Sequence, residues 1–535
     1  MGENRSLNVE LLKEKAPNLD IQLFLRSVVN WIKDLVKENH YGPELGKEGK
    51  VNFLRVGLLG FVAILAIVIG ASLPSSPFSL KQPGAWYFGI PLAVPSNGQP
   101  LIPVVLTYGG MLLLMRVWYE LIRSSLRRPS LPLKPLAWIF VLWVIPLLIV
   151  PPLFSRDVYS YAAQGDMVTH NISPYIFGPG VLAGSPYVRG VDPLWLNAPA
   201  PYGPLFLFIA AAFTNITMHH VLANIVLLRL LELAGVILVA IFLPRLAVTE
   251  GGNPGTAFVL GVLNPVTLLH LIAGAHNDAF MLGLLIAGLA LAKEGRPFLG
   301  IVMCSLAAAI KIPAAAGVFF IGWQWMGVGG SIKEKIRPVV TSGIIFLAVM
   351  AFLSKVTSLG WGWVFALSTP GTVRSYVAPA TAVGLIGGSI SHFIGLGIST
   401  SSILTVTRLL GFLLSAAIGA WMLLNSDRIG FSKALGLTFL AVVVLAPVVQ
   451  PWYLSWALIL LATVATPKVR KLIVWLSIFA SFLGLPGGQI LLDQLDHISP
   501  LSILLAIGVL VAIPATPLPE RFRQLLNSNR QPSNF

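Results

Sequence analysis

The sequence predicts an all-α polytopic membrane protein with about 11 to 15 transmembrane helices. Apolar residues make up 56% of the 535 residues and charged residues only 11%. The mean hydropathy is +0.82, and apolar runs long enough to cross a bilayer recur along the chain. A soluble globular protein and a disordered chain are both excluded, because so little polar surface cannot cover or solvate so many apolar residues.

The apolar runs define the candidate spans. A bilayer core of about 30 Å needs about 20 mostly apolar residues in a helix. Shorter runs are expected to form broken or re-entrant helices, which protein or a water-filled cavity must cover. The long runs lie at residues 53–73, 101–122, 135–153, 221–243, 255–272, 279–292, 338–356, 403–424, 434–450, 472–491 and 500–517. The shorter runs lie at 204–218, 298–311, 313–327, 380–398 and 453–466.

Basic residues set the expected orientation. The chain carries 36 Lys and Arg against 21 Asp and Glu, a formal net charge of +15. Such an excess in a membrane protein marks cytoplasmic connections, so we do not interpret it as nucleic-acid binding. The segments expected in the cytoplasm are an N-terminal arm at 1–52 with an amphipathic helix at 18–39, the connections near 123–134, 293–296, 333–337 and 468–471, and a tail at 520–535. Residues 53–519 are expected to form a single transmembrane domain.

The longest connection, residues 154–203, is expected outside the cytoplasm and is long for a loop without a function. If residues 157–165 form a helix, Asp157, Ser160, Tyr161 and Gln164 share one face. A carboxylate, a hydroxyl, a phenol and an amide together suit a polyhydroxylated ligand, with Asp157 able to accept a proton. Alternatively, Asp157 caps this helix and pairs with Arg156 or another cation.

A second polar motif follows a predicted kink. Pro265 after Asn264 falls inside an apolar run and should bend its helix. Ten residues further on, His276, Asn277 and Asp278 lie at an outward turn. They are candidates for contact with a sugar, a phosphate or a metal, or for an N-cap. One His and one Asp do not make a metal cage.

Cations and aromatic residues near the membrane complete the candidates. Lys311 lies between two short apolar runs, where it must meet an anion, water or a cavity, or snorkel to the interface. A lipid-borne phosphate would satisfy it, and Arg374 is a similar candidate. Trp452 and Tyr453, in a further outward turn, are interfacial anchors or stack on a sugar. Arg229 and Glu232, three residues apart in one span, are expected to pair.

The sequence contains neither a Walker A motif nor a Rossmann fingerprint, so ATP-driven transport by this chain alone is not expected. Polar candidates outside the cytoplasm do not meet nucleotide-activated sugars, so a sugar-transferring protein would take a lipid-borne donor. A phosphate leaving group needs little acid assistance. One carboxylate base would then suffice, unlike the carboxylate pair of glycosidases.

These motifs occur together in a known family. The 154–165 stretch, the Pro-Tyr-Gly-Pro turn at 201–204, Asn264-Pro265, the 274–278 motif, Lys311 and the Pro-Trp-Tyr turn at 451–453 resemble the polyprenol-phosphomannose-dependent α-1,6-mannosyltransferases of bacterial membranes. The similarity covers about residues 55–500. It implies a GT-C-like bundle with a large extracytoplasmic loop that carries short interfacial helices.

The resemblance also implies an activity and a site. Mannose would leave a β-linked polyprenyl phosphate with inversion and join a 6-hydroxyl of a mannan or glycolipid acceptor, on the outer face of the cytoplasmic membrane. Asp157 matches the expected base, with Asp166 and Asp192 as alternatives. Lys311 and Arg374 would hold the donor phosphate. The implied sugar and acceptor ligands are Tyr161, Gln164, Tyr202, His276, Asn277, Asp278, Trp452 and Tyr453.

The sequence leaves open the metal requirement, the donor sugar and two other classes of function. Some GT-C enzymes bind a divalent cation and others do not, so the metal requirement is undetermined. Gln450 stands where related transferases often have His. The donor sugar is also open, with arabinose or glucose on the same lipid carrier as alternatives. A secondary transporter or flippase of lipid-linked sugar would predict repeated halves with matching broken helices, and a scaffold without catalysis is the last alternative.

Overall fold

The computed structural model describes residues 51–73, 76, 78, 101–125 and 130–483. This part of the chain is helical and contains no β-strand, which confirms the predicted all-α polytopic class. The N-terminal arm, the predicted span at 500–517 and the tail at 520–535 lie outside the described residues. The first helices are α1 (Phe53–Ser72), α2 (Leu101–Ser125), α3 (Leu133–Ile149), α4 (Asp157–Thr169), α5 (Pro204–Ile216), α6 (Val221–Thr249) and α7 (Pro254–Gly261).

A π-helix at Thr267–Ala273 follows, and then the remaining helices. They are α8 (Asp278–Lys293), α9 (Pro297–Ala308), α10 (Ala315–Gln324), α11 (Ile332–Val356), α12 (Gly362–Ala366), α13 (Pro379–Phe393), α14 (Thr400–Leu424), α15 (Ser426–Ile429), α16 (Phe431–Leu445), α17 (Leu454–Ala462) and α18 (Pro467–Leu483). Helices α1, α2, α6, α11 and α14 are long and apolar enough to cross a membrane. The π-helix and α8 together pass the same test but are bent by 113°. The total of 11 to 15 crossings stays a prediction.

The predicted kink at Asn264-Pro265 is present and is larger than a bend. Helix α7 ends before it, and the chain resumes as the π-helix. The Asn264 side chain accepts a hydrogen bond from the Val266 N–H at 2.9 Å and donates to the Leu260 carbonyl and the Ser477 hydroxyl. These bonds satisfy backbone groups that a helix interrupted by proline leaves free.

Helices α6 and α8 pack with their backbones close together. A Cβ atom added at Gly235 would lie 2.4 Å from the Ala279 carbonyl oxygen, and one at Gly283 would lie 2.5 Å from the Gly235 carbonyl oxygen. Small residues let membrane helices approach closely in this way. The contact fixes the start of α8, where Asp278 lies.

We expect Gly235→Ala to lower the free energy of unfolding by about 1–3 kcal/mol. The thermal unfolding midpoint of the purified protein should fall accordingly. The added methyl meets backbone, which cannot rotate away. Gly343→Ala is the matched control, because a Cβ at Gly343 in the membrane helix α11 meets nothing within 4 Å. Equal midpoints for the two variants would contradict the close packing of α6 on α8.

One end of the bundle collects the basic connections. The Lys293 ammonium lies 3.1 Å from a Glu250 carboxylate oxygen and 3.5 Å from the Gln324 amide oxygen. Gln324 also donates to Asp427 at 3.2 Å, and Asp427 pairs with Lys335. Connections predicted on one side of the membrane, near 293 and 333–337, therefore meet. We call this the basic end.

The opposite end is recessed. Helix α8 has 16 residues and α9 has 12, which correspond to about 24 Å and 18 Å. Helix α6 with 29 residues and α11 with 25 are longer, at about 43 Å and 37 Å. Helices α8 and α9 both have one end at the basic end and are shorter than a hydrocarbon core of about 30 Å, so we expect their other ends to stop before its far boundary.

Arg229 and Glu232 of α6 bind backbone near this recessed end. The Arg229 guanidinium donates to the carbonyls of Val150 and, at 3.0 Å, Ala273. The Glu232 carboxylate accepts the Phe280 N–H at 3.0 Å. These bonds join α6 to three other segments. The expected pairing of the two side chains stays a prediction.

Candidate active site

A cleft opens at the recessed end. Helix α4, the segment before α5, the segment after α12 and the turn before α17 supply its walls. The lining residues are Asp157, Ser160, Gln164, Trp195, Ala198, Pro199, Pro201, Tyr202, Thr369, Val448, Gln450, Trp452 and Tyr453. The cleft therefore combines one acid, several uncharged polar groups and aromatic rings.

Helix α4 presents the face that its spacing predicts. Asp157, Ser160 and Gln164 line the cleft from successive turns. Tyr161 lies beneath the surface, with its hydroxyl 3.5 Å from the Asn277 amide oxygen and its ring edge-on to Tyr202 at 5.1 Å. The periodicity predicted a common face for all four residues. Three of them line the cleft, and Tyr161 instead lies behind the wall.

Asp157 begins α4, and its backbone N–H donates to the Ser155 hydroxyl at 3.1 Å. Its side chain is 16% exposed, and Oδ2 lies 3.8 Å from His276 Nε2. Burial raises the pKa of Asp157 to about 7. The Lys311 ammonium opposes this rise, and the Asp192 and Asp278 carboxylates add to it. A carboxylate tuned toward neutral pH is suited to general base chemistry.

The floor of the cleft covers a buried ion pair. The Lys311 ammonium lies 3.0 Å from both Asp278 carboxylate oxygens, and the Trp456 indole N–H donates to one of them at 2.6 Å. The ammonium also lies 4.3 Å from the Tyr453 ring centre and 6.0 Å from that of Tyr202. The charge of Lys311 is therefore balanced by protein groups under aromatic side chains that line the cleft.

His276, Asn277 and Asp278 are fully buried, and none is in the lining. The His276 ring stacks on Trp452 with 3.7 Å between ring centres. The outward turn predicted to touch sugar or phosphate is thus covered by the 451–453 turn. Its residues support the floor.

Three side-chain oxygens in the lining are buried and have no hydrogen-bond partner among the described residues. They belong to Ser160, Gln164 and Gln450. Buried polar atoms are normally satisfied, so these oxygens mark where a polar ligand would bind. Gln450 as a ligand contact, Trp195 in the wall and Trp456 beneath the floor were missed by sequence reasoning. Trp456 follows Trp452 by one helical turn, a spacing that links it to the aromatic motif.

The remaining acidic and basic candidates lie elsewhere. Arg374 is exposed and outside the lining, although Thr369 of the same segment contributes to it. Asp166 accepts from His219 at 2.8 Å, and Asp192 accepts the Leu194 N–H at 3.0 Å. Asp157 is the one carboxylate among the described residues that line the cleft.

A metal ion would need several ligands that lie close together. Nowhere in the described ranges do three His, Cys, Asp or Glu residues come together as a metal would require. The Asp278 carboxylate is bound by Lys311 and Trp456.

Comparison with known proteins decides the family. Residues 55–327 match the family model described as alpha-(1->6)-mannopyranosyltransferase, N-terminal domain, and residues 380–514 match the MptB C-terminal domain. The chain belongs to the alpha-(1->6)-mannopyranosyltransferase family. The cleft and all thirteen of its lining residues except Thr369 fall within these two matched regions.

Named relatives cover most of the chain. A probable alpha-(1->6)-mannopyranosyltransferase of Mycolicibacterium smegmatis is 32% identical over 93% of this chain and 95% of its own length. An alpha-(1->6)-mannopyranosyltransferase of Mycobacterium tuberculosis is 31% identical over 87% of this chain and 88% of its own length. Alpha-(1->6)-mannopyranosyltransferase B of Corynebacterium glutamicum is 33% identical over 72% of this chain and 69% of its own length. No solved structure matches the chain.

Proposed function

We propose that this member of the family transfers mannose from a polyprenyl-phosphate donor to a 6-hydroxyl of a mannan or glycolipid acceptor, with inversion. The observation that carries the proposal is the cleft itself. Among the described residues it holds one carboxylate, Asp157, whose pKa is raised to about 7, beside three side-chain oxygens without a hydrogen-bond partner. The choice of mannose as the transferred sugar rests on family membership, because the relatives are named mannopyranosyltransferases.

The chemical step needs one base. Asp157 accepts the proton of the acceptor hydroxyl as that oxygen forms a bond to the anomeric carbon of mannose. The bond from this carbon to the phosphate oxygen breaks, and polyprenyl phosphate leaves with the electron pair. A single displacement turns a β-linked donor into an α-linked product. Ser160, Gln164 and Gln450 would hold sugar hydroxyls, and Tyr202, Trp452 and Tyr453 would pack on the sugar face.

We assign binding of the donor phosphate to two cationic side chains near the cleft. Lys311 contributes a positive charge beneath the floor, and the charge stabilises the phosphate as its bond to sugar breaks. Because Asp278 balances that charge, Lys311 would act through the floor unless the pair opens. Arg374, exposed on the segment that carries Thr369, would meet the phosphate at the rim.

The proposed orientation follows from the two ends of the bundle. Excess Lys and Arg mark the cytoplasmic side, so the basic end and the N-terminal arm are assigned to the cytoplasm. The cleft then lies at the extracytoplasmic face of the cytoplasmic membrane. Its recessed position supports a lipid-carried donor, whose phosphate lies near the boundary of the hydrocarbon core.

The test is a transfer assay on purified protein in nanodiscs. Polyprenyl phosphates carrying labelled mannose, arabinose or glucose are offered with a short α-mannoside acceptor, with and without a chelator. We expect acceptor-dependent labelling with mannose. Labelling only with another sugar would overturn the donor assignment, and loss of labelling with chelator would add a divalent cation. Counterflow of labelled lipid-linked sugar across vesicles, without bond formation with any donor, would replace transfer by transport.

The raised pKa of Asp157 predicts a pH dependence. Below a pH of about 7 the carboxyl of the free enzyme is protonated and cannot accept the acceptor proton, so kcat/KM should fall about tenfold for each further pH unit. Above that pH the carboxylate is ionised, and kcat/KM should level off. The measurement is kcat/KM from about pH 5 to pH 9. A flat profile across the acidic half would contradict Asp157 as the base with this pKa.

A further inference from the structure

The tautomer of His276 is fixed by its backbone partner. Nδ1 lies 2.7 Å from the His270 carbonyl oxygen. A carbonyl oxygen only accepts hydrogen bonds, so Nδ1 carries the proton. The neutral ring then has a lone pair and no proton on Nε2.

The Nε2 atom points at the candidate base. It is buried, has no hydrogen-bond partner among the described residues, and lies 3.8 Å from Asp157 Oδ2. The stack on Trp452, with the ring planes 21° apart, covers the imidazole on the cleft side. The exposure of His276 is zero, so the ring has no direct route to a sugar.

We propose that His276 is a positioning residue for Asp157, with Nε2 accepting a hydrogen bond from the protonated Asp157 carboxyl. This inference rests on the proposed function, in which Asp157 is the base. The proton of the acceptor hydroxyl moves to the carboxyl, and the carboxyl O–H donates to the Nε2 lone pair. No further bond forms or breaks, and the bond stabilises the protonated carboxyl that transfer generates. Such catalytic hydrogen bonds are often long before substrate binds and tighten in the reacting complex.

The proposed hydrogen bond predicts the direction in which the pKa of Asp157 changes when His276 is replaced. A hydrogen bond to the protonated carboxyl favours that form, so loss of Nε2 should lower the pKa of Asp157 and shift the acidic limb of kcat to lower pH. Other groups near Asp157 and His276 bias the same equilibrium and stay constant in the comparison. They are Lys311, Asp192, Asp278, Tyr161, Tyr202, Tyr453 and His270.

The test compares two amides at one position. In His276→Asn the side-chain NH2 can replace the Nδ1 donor to the His270 carbonyl, but nothing replaces Nε2. We expect a kcat about tenfold lower, an unchanged KM and an acidic limb lower by about one pH unit. In His276→Gln the longer amide can place its oxygen near Asp157 as an acceptor, so both kcat and the limb should return toward wild type. His170→Asn, an exposed histidine bound to the Asp166 carbonyl, is the control expected to match wild type.

The outcomes separate this inference from the proposed function. If the wild type transfers no sugar, the proposed function fails first. If the wild type transfers and His276→Asn keeps its kcat and acidic limb, the positioning role is wrong. Equal losses in the Asn and Gln variants, with no shift of the limb, would assign His276 to packing alone. If the Asn variant is not monodisperse, His276→Phe, which keeps the stack on Trp452, is judged by the same two readouts.

Discussion

Asp157→Asn is expected to lower kcat for sugar transfer about a thousandfold, within the range for loss of a general base. The amide matches the carboxylate in size and cannot accept the acceptor proton. KM for the donor should change little, because the Ser160, Gln164 and Gln450 oxygens proposed to hold the sugar hydroxyls are untouched. The measurement is the initial rate at saturating donor and acceptor, on protein with an unchanged thermal midpoint.

Asp166→Asn and Asp192→Asn are the matched controls. Both acids belong to the same connection as Asp157, but neither lines the cleft. Their carboxylates hold His219 and the Leu194 N–H, so their loss is expected to act on local structure. Loss of the Asp192 charge should in addition lower the pKa of Asp157. If Asp157→Asn keeps more than about a tenth of wild-type kcat while one control loses it, the base has been assigned to the wrong carboxylate.

Lys311→Met is expected to cause the largest loss of stability. The substitution leaves the fully buried Asp278 carboxylate without its counter-charge. Breaking a buried ion pair by removing one partner costs about 3–5 kcal/mol. Asp278→Asn should cost a similar amount, and the double variant should recover most of it because no unpaired charge is left. The thermal unfolding midpoints of the four proteins measure this coupling.

The double variant also separates stability from phosphate binding. If it folds and its donor KM rises or its kcat falls, the positive charge of Lys311 contributes to catalysis as proposed. If it folds and its kinetics match wild type, Lys311 serves only the floor of the cleft. Additive losses in the two single variants, with no recovery in the double variant, would contradict the buried pair.

Local patterns predicted the parts of the site that depend on a single segment. The spacing of Asp157, Ser160 and Gln164 gives a common face as soon as the helix forms, so periodicity alone identified one wall. Asn264 before Pro265 marked the end of α7 for an equally local reason, because proline lacks the N–H that a helix requires. Apolar run lengths likewise predicted most helices to within a few residues.

Contacts between distant segments could not be predicted in the same way. The sequence predicts that His276, Asn277 and Asp278 form an exposed turn, but all three are fully buried and Trp452 of the 451–453 turn stacks on His276. Lys311 lacks a counter-charge in its own segment, and its partner lies 33 residues away in α8. The Arg229 and Glu232 spacing suggested a simple pair, whereas tertiary packing gives both of them backbone partners. Periodicity carries no information on which segments meet.

The most direct test of the account is the anomeric configuration of the product. Purified protein is incubated with β-linked polyprenyl-phosphate mannose and a short α-mannoside acceptor, and the new linkage is determined by NMR. A single displacement with Asp157 as the base predicts an α-linked mannose on the 6-hydroxyl. A β-linked product would contradict a single displacement in which Asp157 acts as the base.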